Sequence, residues 1–110
     1  MEHDRTKIIQ IRLHREDVVA RVRVLARNGK VAYSDHAYDQ MDIRSLNDRI
    51  ATGVLEKGEP KGDVEPGNKP GEWKIKMVDR IKGAREVGVV TILVGNRDLL
   101  LVKTVEWEDL

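Results

Sequence analysis

The 110-residue sequence has no cysteine and no phenylalanine, and only 4% of its residues are aromatic. Without cysteine the chain forms no disulfide, binds no metal through thiolates and carries no cysteine nucleophile. Its histidines are scattered, so we expect no metal and no cofactor. No apolar run approaches the ~20 residues of a membrane span, and the charged start is unlike a secretory signal. These absences predict a soluble, cytoplasmic protein without a membrane partner.

Charge is abundant but balanced, with 20 basic and 19 acidic residues. The charged fraction of 35% exceeds the ~25% of an average globular protein. Such a balance gives no overall attraction to nucleic acid or membrane. Basic residues nevertheless concentrate in residues 74–85, and acidic residues in residues 56–72 and at the carboxyl end. Any contact with nucleic acid is therefore predicted to be local.

Apolar spacing predicts three helices in the first half of the chain. Residues 14–28 carry one apolar stripe and end at Asn28-Gly29, a typical stop signal. Residues 30–34 read as a short strand or an extended link, and residues 35–43 as a second helix. A third helix is predicted from Ser45, which would form a capping box with Asp48, to Lys57.

The second half of the chain predicts strands. Residues 58–71 hold all three prolines and four of the nine glycines, which indicates a mobile loop or an irregular edge hairpin. From residue 72 apolar and polar residues alternate, and short connections separate three apolar runs. We therefore predict one α+β domain over residues 1–110, with the helices packed on one face of a carboxyl-terminal antiparallel sheet of three to four strands.

A short motif carries a resemblance to a known family. Residues 33–44 read Y-S-x-H-A-x-x-x-M-x-x-R, followed by Leu46, Ile50, Val54 and Gly58-Glu59. This pattern resembles a family of small bacterial domains (domain of unknown function 4258) whose signature is H-A-x-x-R-M-x-x-R. The resemblance covers about residues 31–105, with residues 14–28 as a variable helix. One position departs from the signature, because Gln40 stands where the family has arginine.

The resemblance implies a class of function. Those domains are similar to RelE/ParE-like toxins, including the BrnT-type ribonucleases. It therefore implies a toxin-antitoxin-type protein that either binds RNA or cleaves it as a metal-independent endoribonuclease. RNA and a small antitoxin protein would be its partners. The replacement of the family's arginine by Gln40 removes a positive charge, and this change would affect catalysis more than the fold.

His36 and Arg44 are the candidate catalytic pair. Histidine titrates near neutral pH and can accept the proton of an attacking 2′-hydroxyl. Arginine can hold the scissile phosphate with two hydrogen bonds. Each residue has a structural alternative: His36 as the hydrogen-bond partner of a neighbouring carbonyl or carboxylate, and Arg44 as an ion pair with Asp48 or Asp42.

The other candidate residues lie on predicted strands. Lys74, Lys76 and Arg80 share one parity and form either a phosphate-binding stripe or a solvated face. Lys103 shares the parity of apolar neighbours, so it either extends its ammonium from an apolar face or points into the catalytic site. The two tryptophans are read as core or core-edge residues, with base stacking as the alternative.

Two functions without catalysis remain as alternatives. The chain could be a protein-binding module that captures a peptide at a sheet edge or helix groove, which the balanced charge and Gln40 favour. It could also be an accessory protein that oligomerises through an exposed edge of the apolar run Leu99–Val105.

Overall fold

The computed structural model describes the backbone of residues 2–81 and 83–109, and within those ranges the side chains from Arg15 onward. It shows an α+β fold of three helices and a five-stranded mixed sheet. The elements, in chain order, are α1 Glu2–Arg27, β1 Val31–Tyr33, α2 Asp35–Ile43, α3 Asp48–Lys57, β2 Glu59–Pro66, β3 Glu72–Ile81, β4 Arg85–Val94, a 3₁₀ turn at Gly95–Arg97 and β5 Leu99–Trp107.

The three predicted helices are present, with two differences at their starts. Helix α1 begins at Glu2, well before residue 14. Helix α3 begins at Asp48, because the Oδ1 atom of Asn47 accepts a hydrogen bond from the amide of Ile50 at 2.8 Å. Ser45 instead adopts a left-handed conformation with φ of 56°. The predicted capping box is therefore wrong, and Asn47 caps the helix two residues further on.

The sheet has the strand order β1-β5-β4-β3-β2. Strands β2 to β5 form the predicted antiparallel meander. The short strand β1 adds to the outer edge of β5 in the parallel direction, with Val31 opposite Leu100. The expectation of a wholly antiparallel sheet is not met at this edge. A parallel partner is feasible there because the connection from β1 to β5, through α2, α3 and strands β2 to β4, is long enough to return the chain to the end of the sheet at which β1 begins.

The proline- and glycine-rich segment contains strand β2, because residues 59–66 pair with β3 as an edge strand. The pairing is irregular between Lys61 and Glu65. Of the two earlier alternatives, the irregular edge hairpin is confirmed. Prolines at positions 60 and 66 and the irregular register make this edge a poor template for a further strand.

The core lies between the helices and one face of the sheet. Val22 and Leu25 of α1 and Val54 and Leu55 of α3 are buried against alternate residues of the strands, such as Ile75. Helix packing on a single face is therefore confirmed. Within the described part of the chain, no helix is long and apolar enough to cross a membrane.

Candidate functional site

Helix α2 aligns three polar side chains along one flank. The Oγ atom of Ser34 accepts a hydrogen bond from the amide of Ala37 at 3.1 Å and so caps the helix. Ala37 and Met41 are buried. Because residues four apart lie on the same side of a helix, the side chains of His36, Gln40 and Arg44 follow each other along the adjacent flank, which faces β5.

Gln40 and Arg44 bind the outer edge of β5 where β1 no longer covers it. The Oε1 atom of Gln40 accepts from the amide of Val105 at 3.0 Å, and a terminal guanidinium nitrogen of Arg44 donates to the carbonyl of Val105 at 2.8 Å. The indole nitrogen of Trp107 donates to the carbonyl of Arg44 at 3.0 Å. The two side chains thus satisfy Val105 as a neighbouring strand would.

This contact, which we name the Val105 clamp, changes two expectations. Among the described residues Arg44 forms no ion pair with Asp42 or Asp48, so that alternative is wrong. The proposal of oligomerisation through an exposed edge of β5 also fails, because β1 and helix α2 cover that edge. The edge of a strand pairs with another chain only when its backbone groups are free.

His36 is exposed, and its Nε2 atom lies 2.8 Å from the amide nitrogen of Gln40. Because the Oε1 atom of Gln40 accepts from a backbone N–H, its NH₂ group points at the imidazole and must donate. The Nε2 atom of His36 is then the acceptor, and the proton of the neutral ring resides on Nδ1. As long as this bond is kept, His36 has no free basic nitrogen with which to abstract a proton.

The opposite side of the sheet carries the candidate phosphate-binding residues. We name the side of β3, β4 and β5 that faces away from the helices the open sheet face. Lys74 lies in register with Ile92 and Leu101 across three strands, and Lys76 lies in register with Val90. The aliphatic side chains of this row are half-buried. The candidate catalytic pair lies at the β5 edge, so the structure does not bring it together with the lysines of β3.

Lys76 is engaged by the carboxyl-terminal segment. Its Nζ atom lies 2.7 Å from the Oε1 atom of Glu108 and 3.0 Å from that of Glu106. Burial alone lowers the pKa of Lys76, but the bonds to Glu108 and Glu106 outweigh it, so the pKa is raised above 10.5. An ammonium held between two carboxylates is less available to an outside phosphate than a free one. Lys74, in contrast, is exposed and forms no ion pair with any described residue.

Lys103 occupies a β-bulge. Thr91 pairs with Val102 and Val90 pairs with Thr104, so one extra residue is inserted in β5 between these pairs. Such an insertion shifts the alternation of side chains, and the buried residues are Val102 before it and Val105 after it. Of the apolar residues predicted to share a side with Lys103, Val105 therefore faces the core, whereas Leu99 and Leu101 lie before the bulge on the open sheet face. The side chain of Lys103 is exposed and forms no ion pair within the described part of the chain.

Arg80 lies near the end of β3, in acidic surroundings. It lines an open cavity of about 430 Å³ together with Glu86 and Glu108. The three cations predicted as one stripe thus have different environments: Lys74 has no carboxylate at ion-pair distance among the described residues, Lys76 is paired, and Arg80 faces acids. The predicted stripe is therefore not uniformly basic, because carboxylates lie beside Lys76 and Arg80.

The tryptophans have structural contacts. Trp73 and Trp107 are half-buried and pack against the core, which confirms their core-edge assignment. The guanidinium of Arg85 lies 3.8 Å from the centre of the Trp107 ring, a cation–π contact. Arg85 also binds the carboxylate of Asp109, and this hydrogen bond lowers the pKa of that carboxyl below its ordinary value of 3.8.

Sequence reasoning missed two participants of these sites. Gln40 was read as a missing cation, but its carboxamide joins His36 to Val105. Glu108 was read as part of an acidic tail, but it reaches Lys76 across the sheet. The opposite charges in the strand and the tail were a signal for this pairing, but which lysine would meet the tail depends on strand register.

Comparisons with protein-family models, with curated proteins and with solved structures give no match. Among the described residues no group of three or more metal-ligating side chains comes together.

Proposed function

We propose that this protein is a toxin-antitoxin-type RNA-binding protein whose open sheet face contacts the RNA backbone. The observation that carries the proposal is the presence of Lys74 and Lys103 on strands β3 and β5, both exposed and both without a carboxylate partner among the described residues. Two strand spacings, or about 10 Å, separate these strands. A backbone that crosses the strands would therefore meet both ammonium groups.

This mode of binding reads no sequence. Lysine neutralises phosphate as a point charge, and contacts to phosphate position a nucleic acid without distinguishing its bases. Neither tryptophan belongs to the aliphatic rows of this face, so base stacking is not part of the proposal. The balanced net charge fits a local contact through a few phosphates.

Cleavage by His36 and Arg44 belongs to the same proposal as a second, separable activity. It requires an RNA segment that reaches the α2 flank, and it requires Gln40 to release the Nε2 atom of His36. Gln40→Ala frees this nitrogen, so cleavage that depends on His36 should become faster in that variant and disappear in His36→Ala. Equal cleavage rates in the two variants would remove His36 from the mechanism.

Binding is tested with single-stranded RNA over a range of salt concentrations. Each lost phosphate contact reduces the slope of log K against log salt by about 0.7. Lys74→Glu and Lys103→Glu together should therefore weaken binding and flatten the slope by about 1.4. The control is Arg49→Glu with Lys57→Glu, which makes the same charge change at two exposed positions on α3, away from the open sheet face.

The proposal fails if the control weakens binding as much as the two lysine changes do, or if the unmodified protein does not bind RNA. A uniform loss across both sets would mean that only net charge matters.

One observation favours the alternative of a protein-binding module. The aliphatic side chains of Val90, Ile92 and Leu101 are half-buried on a face that no helix covers, and such a surface suits a protein contact. The relevant probe is the protein encoded beside this one, purified and titrated directly. Ile92→Ser would then abolish its binding while Lys74→Glu would not, and the unmodified chain would not bind RNA.

A further inference from the structure

Glycine permits an unusually close approach of side chains at the middle of β4. A Cβ atom added to Gly88 would lie 2.7 Å from the Oε1 atom of Glu108 and 2.7 Å from the Cε atom of Lys76. Both atoms lie at the flexible ends of long side chains, so a larger residue at position 88 would push the carboxylate and the lysine stem away from their places directly above the strand. The result is a small depression in the open sheet face, floored by Gly88.

Two lysines border this depression. The Nζ atom of Lys76 lies 2.7 Å from the Oε1 atom of Glu108, and that of Lys61 lies 3.7 Å from the same oxygen. The side chain of Glu108 is 13% exposed and that of Lys76 24% exposed. One oxyanion is therefore held by two cations from two strands, in partial shelter from water, where charge interactions are stronger than on an open surface.

The occupant of the depression is itself part of a terminal segment. Glu108 follows the end of β5, and its amide donates to the carbonyl of Glu86 at 2.9 Å. Asp109 binds Arg85 beside it. The segment from Glu106 to Asp109 thus brings three carboxylates to the end of the sheet at which β3 and β4 are joined.

We infer that Lys61, Lys76 and Gly88 form an oxyanion seat that Glu108 occupies from within the chain, and that an RNA phosphate binds there by displacing this carboxylate. The inference rests on the proposed function and adds to it a built-in competitor. A tethered carboxylate acts at an effective concentration in the millimolar range. It therefore weakens the binding of small anions and favours a multivalent backbone that is anchored also at Lys74 and Lys103.

The test neutralises the competitor. Glu106→Gln with Glu108→Gln keeps the shape of both side chains and frees Lys76. One additional phosphate contact steepens the salt slope by about 0.7, which makes the loss of affinity between 50 and 200 mM salt about 2.6-fold larger. Binding at low salt should tighten. The matched control is Glu16→Gln with Asp17→Asn, which removes the same two charges from an exposed part of α1.

A second experiment, in the Lys76→Gln variant, tests whether the gain in RNA binding depends on the seat. In Lys76→Gln the two tail substitutions should give no gain beyond that of the control, because the freed contact no longer exists. A gain that persists in this background would mean that the tail acts only through net charge, which would overturn the inference. Urea unfolding of each variant verifies that folding is retained.

A measurement in the unmodified chain separates the two proposals. Pyrophosphate should shift the NMR amide signal of Gly88, more weakly than in the double tail variant and not in Lys76→Gln. If RNA binds through Lys74 and Lys103 while pyrophosphate leaves Gly88 unchanged and the tail variant behaves as its control, the inference is wrong and the proposed function stands. If pyrophosphate shifts Gly88 but RNA does not bind, the seat takes small anions and the proposed function fails.

Discussion

The Val105 clamp makes a quantitative prediction about stability. Gln40→Ala removes the acceptor of the Val105 amide, and Arg44→Met removes the donor to its carbonyl while keeping most of the arginine stem in place. A backbone group left without its partner costs about 1–3 kcal/mol, and a bond from a charged donor contributes about 1.5–3 kcal/mol. Both bonds are partly buried, so water replaces part of each loss and the lower ends apply.

We therefore expect each variant to lose about 1–1.5 kcal/mol of unfolding free energy, and the double variant about 2–3 kcal/mol. Against the 5–15 kcal/mol of a typical domain this is a substantial fraction. Urea unfolding at constant m-value measures the loss. The control is Asp39→Ala, which lies on the exposed side of the same helix and should change stability by no more than about 0.5 kcal/mol.

Hydrogen exchange locates the effect. The Val105 amide should exchange faster in Gln40→Ala than in the control, because its acceptor is a side chain rather than a strand. If Val105 keeps its protection and the urea midpoint is unchanged in both variants, the clamp has no role in holding α2 to the sheet. The same data also decide whether a loss of RNA cleavage in an Arg44 variant reports chemistry or folding.

Three further predictions concern the core and the end of the chain. Leu55→Ala should cost about 2–5 kcal/mol in urea unfolding, because Leu55 is fully buried; a loss below 1 kcal/mol would contradict the packing described. Trp107→Phe should cost about 1 kcal/mol, since it removes the bond to the carbonyl of Arg44; no change would exclude that bond from the clamp. The carboxyl of Asp109 should titrate by NMR below pH 3.8, because the bond from Arg85 lowers its pKa. Its small contribution to stability is therefore present above its unfolded pKa and lost as the pH falls through the folded value; Arg85→Met should restore the ordinary pKa, and an unchanged pKa would refute the pairing.

Much of the fold follows from local patterns. The stripe of Val18, Val22 and Leu25 predicts a helix because apolar residues recur on one side at the helical period. The alternation around Ile75 predicts a strand for the same kind of reason. Where prediction failed, competing local signals were nearly equal: both Ser45 and Asn47 can cap a helix, and the start of α3 depends on how α2 ends.

The candidate site was less predictable. Parity assigns a residue to one face of a strand only if pairing is regular, and the bulge at Lys103 breaks that rule. Similarly, a glutamine four residues after a histidine has many ordinary explanations. The role of Gln40 is visible only in the tertiary structure, where its side chain accepts a hydrogen bond from the Val105 amide of β5.

The sequence by itself determined the order of helices and strands, the residues that enter the core, and the placement of a histidine and an arginine on one flank of a short helix. These are properties of neighbours within a few residues, and hydrophobic spacing and capping chemistry encode them directly. The tertiary structure alone decided that Arg44 binds a backbone carbonyl, that Lys76 is paired with two carboxylates, and that Gly88 lies beneath Lys76 and Glu108. Each of these depends on register between strands distant in sequence, where a shift of one residue moves a side chain to the other face.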